Sequence, residues 1–413
     1  MNNIVLKPKF ASGEIIVPSS KSIAHRALII AALSGNEVAV NGIDISDDIN
    51  ATIDALKQIG VSIIFSDGKI LINGSNLKRN SNVKINAKES GSTLRFMIPV
   101  VIQLGNDAEF TGEGRLPKRP LNDYFNLFSE TGISYHTEKE SNLPLRVSGN
   151  ADFKDVKING GISSQFITGI MLCGMIKPVK ITILGEIQSK PYINITADVL
   201  RKFGCDVKFD GNICYVNRNY NKITNEYTVE KDWSQAAFFL CAGAVNGKIT
   251  VNNINIHSTQ GDSKILKVLE DFGAKTEIGN NSVTVYKSDM HGIKVDASDI
   301  PDLVPVIAVT ACFAKGETII YNAERLRLKE SDRLQAIYNE LKILGANIEI
   351  TNDGLKIKGV NTLKGGEVNS HNDHRIAMSV AVASLRCAGD VILNGYNAVN
   401  KSYPLFFKDW SEI

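Results

Sequence analysis

Four short runs hold most of the residues in this chain whose types and spacing could do chemistry. The richest is Arg327-Leu328-Lys329-Glu330-Ser331-Asp332-Arg333, in which cations alternate with carboxylates. The second is Asn372-Asp373-His374-Arg375, directly before an apolar stretch, and the third is Pro18-Ser19-Ser20-Lys21-Ser22-Ile23-Ala24-His25-Arg26. There a helical spacing of about 3.6 residues places Lys21, Ser22 and Arg26 on one side. The fourth, Thr111 to Pro120, carries Arg115, Lys118 and Arg119 among glycines and prolines and reads as a loop. A bland reading exists for each: charge runs are commonly solvated faces, and an Asp-His pair is often a helix cap beside a core histidine. Their placement favours the sharper one. Lys or Arg at a helix start opposes the helix dipole, a cost that an incoming anion offsets. Cations with interleaved carboxylates suit acid-base chemistry on a multiply anionic small molecule.

Other chemistries find less support. Neither a phosphate-binding glycine loop ending in Lys-Ser/Thr nor a His-Glu-x-x-His metal spacing occurs. Cys173, Cys205, Cys214, Cys241, Cys312 and Cys387 are scattered through apolar segments and read as buried reduced thiols. A net charge of +2 over 413 residues gives no footprint for nucleic acid. Apolar runs are interrupted before membrane-spanning length, and no signal pattern precedes Ile4. The expectation is a soluble cytoplasmic protein that engages no membrane.

The elements that must position these runs follow a repeat. Gly60, Gly132, Gly204, Gly273 and Gly345 recur about every 70 residues, each just after an amphipathic helix. Only glycine takes a left-handed helix cap without a steric cost. Within each period an apolar helix, buried all round, precedes a strand, a second helix with one apolar stripe, and a hairpin. The apolar helices are Ala24 to Leu33, Leu94 to Leu104, Phe166 to Met175, Ala236 to Val245, Leu303 to Ala314 and Ile376 to Leu385. The stripes include Ile265, Val268, Leu269 and Phe272, and Leu334, Ile337, Leu341 and Leu344. A hairpin is predicted over Ile348 to Lys358. Second helices are predicted to open at Lys329-Glu330-Ser331 and at Lys401-Ser402.

The fold class predicted is α/β: six repeated βαβαββ units, three per domain, with buried parallel helices and outer sheets. The sixth unit lacks closing strands before Ile413, while Ile4 to Lys7 and Glu14 to Val17 are unclaimed. The N-terminal strands are therefore expected to complete it. This gives one domain over 20–230 and another over 1–19 plus 231–413, with the active site in the cleft where the chain crosses between them.

Taken together, these runs and the six-unit plan resemble the EPSP synthase family, the shikimate-pathway enolpyruvyl transferases, over essentially the whole chain. The resemblance implies a two-domain inverse α/β barrel-like fold. It also implies transfer of the enolpyruvyl group of phosphoenolpyruvate to the 5-hydroxyl of shikimate 3-phosphate, through a tetrahedral intermediate, on the route to chorismate and the aromatic amino acids. No cofactor and no metal are implied, the two substrates are the partners, and a monomer is expected. By resemblance, Lys21, Ser22, Arg26, Ser163, Ser164, Gln165, Ser189, Tyr192, Asp302 and Lys329 hold shikimate 3-phosphate. Lys21, Gly91, Arg115, Gln165, Arg333, Arg375 and Lys401 surround phosphoenolpyruvate, where the arginine fork suits carboxylate and phosphate. Asp302 is the candidate base on the hydroxyl, Glu330 the candidate proton carrier at C3, Lys21 an aid at the departing phosphate, and His374 lies alongside.

One segment departs from the family pattern. Glu89 and Ser92 stand where many members have Asn and Thr, which bears on the response to glyphosate, the family's herbicide inhibitor. A carboxylate beside an anion site must turn away or pair with Arg95 or another cation. Three rival readings fit the residues less well. The sister transferase acting on UDP-N-acetylglucosamine carries a reactive Cys in the loop before its Arg-Pro pair, whereas the loop ending Arg119-Pro120 has none. A non-catalytic anion-binding scaffold would have lost Asp302, Glu330 or Lys21. An enzyme acting on nucleic-acid ends would show a broad basic face.

Overall fold

All five period-marking glycines are left-handed in the computed structural model, with φ of 90° at Gly60, 73° at Gly132, 86° at Gly204, 85° at Gly273 and 89° at Gly345. The structure describes residues 2–79, 81–219 and 224–413. Its α-helices, in chain order, are α1 (Lys21–Leu33), α2 (Asp47–Gln58), α3 (Gly91–Gln103), α4 (Asn122–Thr131), α5 (Ser164–Cys173) and α6 (Lys190–Lys202). They continue with α7 (Trp233–Asn246), α8 (Ile265–Asp271), α9 (Val304–Ala311), α10 (Arg333–Ile343), α11 (His374–Ser384) and α12 (Phe406–Glu412). The chain forms two units, Ser19–Glu230 and Met1–Pro18 with Lys231–Ile413.

In the Ser19–Glu230 unit, α1, α3 and α5 form the interior of the core, and sheets cover them. The inner helices are buried nearly throughout, and the accessible residues sit in the first turn: Lys21 and Ser22 of α1, Ser92 of α3, Gln165 of α5. The polar helix starts thus stay reachable while the apolar bodies are sealed. The sheets of α3 and α5 place the strand before the buried helix parallel to the strand after it, which pairs in turn with an antiparallel hairpin. Asp155–Asn159, for example, pairs with Val179–Leu184, which pairs with Ile213–Arg218 and then Cys205–Asp210. Along such a strand burial alternates: Val83 and Ile85 face the helices while Asn82, Lys84 and Asn86 face water.

The other unit repeats the plan around α7, α9 and α11, whose apolar residues form its core. The predicted stripes of α8 and α10 are buried, and the hairpin Asn347–Ile350 with Leu355–Lys358 is present. All six cysteines are buried and free of disulfides.

Three sequence expectations need correction. The N-terminal strands do not both complete the sixth repeat: Asn3–Leu6 pairs antiparallel with Val391–Asn394 there, but Ala11–Ile15 lies parallel to Gly247–Asn252 in the fourth. The reason is an exchange of strands. The strand directly ahead of α7, Glu226–Thr228, is committed to Glu37–Asn41 in the Ser19–Glu230 unit, so the fourth repeat takes its leading strand from the N-terminus. Second, α10 starts at Arg333, because Asp332 caps it by accepting from Gln335 N–H at 3.0 Å, leaving Lys329 to Ser331 in the turn before it. Third, Lys401 ends a 3₁₀ turn, Tyr396–Lys401, and α12 begins only at Phe406, after Pro404 has barred a helical conformation at Tyr403.

The strand exchange makes a prediction about stability. Both tryptophans, Trp233 and Trp410, belong to the unit containing the N-terminal strands. Removing residues 2–6 deletes buried Leu6, worth about 1.5–3 kcal/mol, so the tryptophan fluorescence melt is expected to fall by roughly 5–10 °C. The circular-dichroism melt of the remaining helices is expected to stay in place, resolving two transitions.

Candidate active site

In the unit containing Lys231–Ile413, three segments, two from the fifth repeat and one from the sixth, meet around one guanidinium. Arg333 is almost fully buried; its Nε donates to Asp373 Oδ2 at 2.7 Å and its NH1 to Asp302 Oδ1 at 2.8 Å, while NH2 lies 3.3 Å from Asp373 Oδ1 and 3.5 Å from Glu330 Oε1. Burial works against the charge on Arg333, but Asp373, Asp302 and Glu330 outweigh it and hold the pKa above its ordinary value. The same pairing holds buried Asp373 below the usual carboxylate range against the opposing effect of burial.

From this centre the bonds run outward. Asp373 caps α11, accepting from Arg375 N–H at 2.9 Å, and receives Ser331 Oγ at 3.0 Å. Asp302 takes Arg375 NH2 at 3.1 Å on its other oxygen, accepts Arg375 NH1 at 3.1 Å on its backbone carbonyl, and has Lys329 Nζ at 3.5 Å. His374 Nδ1 lies 2.8 Å from Glu330 Oε2. Lys401 Nζ donates to the Asn372 carbonyl at 2.6 Å, one residue before Asp373. Glu330, Asp373 and His374 hold donor atoms within 4.8 Å of one another, a spacing that a metal could use. Arg333, bonded to two of the three, already supplies the positive charge a metal would bring.

The Ser19–Glu230 unit carries a second polar cluster at the starts of α1, α3, α5 and α6. Lys21 Nζ is 2.6 Å from Asp48 Oδ2. Gln165 bridges two helices: its Oε1 accepts from Arg95 NH1 at 2.7 Å and its Nε2 donates to Ser92 Oγ at 3.0 Å. Ser163 caps α5, and Ser189, in a left-handed conformation at φ 55°, precedes α6. Arg26 lies buried, donating from Nε to Thr196 Oγ1 at 2.8 Å, from NH1 to Ser22 O at 2.6 Å and from NH2 to Tyr192 O at 3.2 Å. Desolvation pulls the Arg26 pKa down to about 9, since its bonded acceptors are hydroxyls and carbonyls. Arg95 is lowered too, by burial first and then by its neighbour Arg119.

Gly91, the first residue of α3, has a specific steric reason to be glycine. The three atoms that a Cβ there would meet first all belong to the guanidinium of Arg119. Arg119, half-buried, is thus the loop arginine laid across that helix start, and Pro120 beside it accepts Arg95 NH2 at 3.0 Å.

The profile of the family described as EPSP synthase (3-phosphoshikimate 1-carboxyvinyltransferase) matches residues 5–410. The chain belongs to the EPSP synthase family. A 3-phosphoshikimate 1-carboxyvinyltransferase of Clostridium perfringens is 43% identical over 420 residues, covering 100% of this chain and 98% of that protein. One of Clostridioides difficile is 40% identical over 436 residues, with the same coverage of 100% and 98%. Among solved structures, EPSP synthase from Acinetobacter baumannii superposes with a TM-score of 0.81 at 26% identity, covering 100% of this chain and 98% of that one.

Within this family member, the structure gathers Asp302, Lys329, Glu330, Arg333, His374 and Arg375 into one bonded set, with Lys401 one residue away through Asn372. It gathers Lys21, Ser22, Arg26, Gly91, Ser163, Ser164, Gln165, Ser189 and Tyr192 at the helix starts of the other unit. Arg115 is the exception: it is exposed, and the position against Gly91 belongs to Arg119. The 3₁₀ turn Leu116–Lys118 is what separates the two arginines. Glu89 does not pair with Arg95, whose bonds go to Gln165 and Pro120; its carboxylate folds against Gly114. From the sequence Asp373 reads only as part of a run, and Asp48 and Asp262 only as residues at the starts of second helices. The signal for Asp373 was its position immediately ahead of a fully apolar helix; Asp262 gave none beyond a helix-start aspartate.

Asp262 is buried and receives the Ser234 hydroxyl on one oxygen, while its other oxygen accepts no hydrogen bond among the described residues. Burial, then the charge of Asp302, pushes its pKa up to about 7. Between the usual carboxyl range and about 7 the folded chain therefore holds a proton that the unfolded chain has lost, and stability falls as pH rises through that window. An Asp262→Asn variant is expected to abolish that slope, gaining on the order of 2–4 kcal/mol over the original chain at pH 8 relative to pH 4. Paired urea melts at the two pH values measure it.

Proposed function

We propose that this chain transfers the enolpyruvyl group of phosphoenolpyruvate to the 5-hydroxyl of shikimate 3-phosphate, giving 5-enolpyruvylshikimate 3-phosphate and phosphate. The observation that carries this reading is the Arg333 assembly, in which the acid-base candidates Asp302, Glu330 and His374 share one hydrogen-bonded network with the cations Lys329, Arg333 and Arg375.

Phosphoenolpyruvate presents a carboxylate and a phosphate at neutral pH, and shikimate 3-phosphate presents a carboxylate and a phosphate of its own. Binding them calls for several cations and helix starts, which both units supply. We assign the shikimate 3-phosphate side to Lys21, Ser22, Arg26, Ser163, Ser164, Gln165, Ser189 and Tyr192, with Asp302 and Lys329. The phosphoenolpyruvate side is assigned to Lys21, Gly91, Gln165, Arg333, Arg375 and Lys401. Arg119 is assigned to it in place of Arg115, because its guanidinium lies on Gly91.

The transfer needs two proton movements. As the 5-hydroxyl oxygen bonds to C2, its proton leaves and the C3 methylene gains one, giving a tetrahedral intermediate. Loss of the C3 proton then re-forms the double bond as the C2–O bond to phosphate breaks. Asp302 is the base assigned to the hydroxyl. Glu330 carries the proton to and from C3, with His374 at 2.8 Å able to exchange it. Lys21 is assigned to the charge growing on the departing phosphate.

Three measurements test the reading. Phosphate release from phosphoenolpyruvate is expected with shikimate 3-phosphate and not with UDP-N-acetylglucosamine; release with neither would overturn the transfer itself. Glu330→Gln is expected to lower kcat by about 10²- to 10⁴-fold, as loss of a positioned proton carrier does. Arg119→Gln is expected to raise the KM for phosphoenolpyruvate at least about tenfold, the cost of a lost charge-assisted contact, with Arg115→Gln near the original value. A larger rise at Arg115→Gln than at Arg119→Gln would return the assignment to Arg115.

A further inference from the structure

Helix α10 grips the segment ahead of α11 at two places. Its first residue, Arg333, bonds Asp373. Two turns later Glu340, also buried, meets the same segment: its Oε2 accepts from Asn369 N–H at 2.8 Å, and its Oε1 lies 2.6 Å from His371 Nε2. Between the two grips the backbone is strained. His371 and Asn372 are successive non-glycine residues at φ 54° and 53°, a left-handed conformation that crowds Cβ against the following carbonyl. The Asn369 side chain supports the turn by accepting from His371 N–H at 2.6 Å, and Ser370 Oγ donates to Gly395 O at 2.8 Å.

What the strained turn presents is functional. The Asn372 carbonyl aims at Lys401 Nζ, 2.6 Å away, and the following three residues are Asp373, His374 and Arg375. If the turn relaxed to ordinary dihedral angles, the carbonyl would swing off Lys401 and the head of α11 would lose its fixed approach.

We propose that the Glu340–His371 pair is a positioning element for the phosphoenolpyruvate side of the reaction, locking the 369–373 turn so that Lys401 and Arg375 are held where an anion can meet both. This rests on the transfer reading above. Neither residue need touch substrate; they act through the turn.

His371 also titrates. The hydrogen bond that His371 donates to Glu340 raises its pKa, the charges of Glu340 and of Asp373 at the head of α11 add to the rise, and burial opposes them. Lys401, from the 3₁₀ turn Tyr396–Lys401, is bonded to the neighbouring Asn372 carbonyl. A histidine whose folded pKa is raised contributes fully below its ordinary value, and the contribution is lost as pH climbs through the raised one. The lock is therefore tightest at low pH and loosens on the alkaline side of the ordinary histidine range.

The experiment is steady-state kinetics of the full chain, Glu340→Gln and His371→Gln, from about pH 6 to 9, varying phosphoenolpyruvate and shikimate 3-phosphate separately. Glutamine at 340 keeps an acceptor for Asn369 N–H, so the variant should fold, which a thermal melt checks. At the acid end both variants are expected to raise the KM for phosphoenolpyruvate about tenfold, with the KM for shikimate 3-phosphate within about twofold. The alkaline rise in the phosphoenolpyruvate KM of the original chain is expected to flatten in His371→Gln. A folded variant with unmoved KM, equal rises for both substrates, or an alkaline rise that survives in His371→Gln would each overturn the positioning role while leaving the transfer reading intact. If Glu340→Gln does not fold, His371→Gln alone decides. An original chain that releases no phosphate would overturn both.

Discussion

A guanidinium taken out of water must be surrounded by negative charge and hydrogen-bond acceptors, and around Arg333 three carboxylates meet that demand. Removing any one partner from such a buried set leaves a charge without compensation, typically at a cost of about 3–5 kcal/mol. The arrangement is therefore all-or-none, and its geometry fixes that of everything bonded to it. Asp373 is tied to Arg333 and also caps α11, so the direction of that helix start depends on the guanidinium. Asp302 is tied to Arg333 and also to Arg375, and Glu330 lies between Arg333 and His374. One buried cation thereby aligns two candidate proton-handling carboxylates, an imidazole and a second arginine, drawn from segments that are 30 to 40 residues apart in the chain.

The Ser19–Glu230 unit handles buried cations differently. Arg26 and Arg95 are bonded to hydroxyl, amide and carbonyl oxygens, and both have depressed pKa values because burial is not matched by bonded carboxylates. Such groups leave a positive field that an anionic ligand would compensate. Lys21 is the contrast, paired with Asp48 on the neighbouring helix. The two units thus divide the electrostatic work: one is biased toward holding anions, while the other interleaves cations with carboxylates that can move protons.

The architecture was largely legible because its markers are local. A left-handed glycine after an amphipathic helix and an apolar helix without a polar face are features of a few consecutive residues, and Gly60 through Gly345 and helices α1, α3, α5, α7, α9 and α11 bear them out. Most of the site was legible for the same reason, since Lys329 to Arg333 and Asn372 to Arg375 are contiguous runs. What escaped depends on long-range choices. Ala11–Ile15 joins the fourth repeat because Glu226–Thr228 is used elsewhere, a competition between strands far apart in sequence. Arg119 lies on Gly91 because a 3₁₀ turn redirects the loop, and no spacing rule separates it from Arg115. Lys401 reaches the site from the end of a 3₁₀ turn instead of a helix start, through a carbonyl held in a strained conformation.

The central claim is that the planar fork of Arg333, and not merely its charge, holds the reacting groups in place. The most direct measurement is turnover of an Arg333→Lys variant, which keeps the positive charge but cannot bond Asp302 and both oxygens of Asp373 at once. A fall in kcat of about 100-fold or more, equivalent to about 2.7 kcal/mol, is expected in a protein that remains folded. Turnover within about threefold of the original chain would show that charge alone suffices and would contradict it.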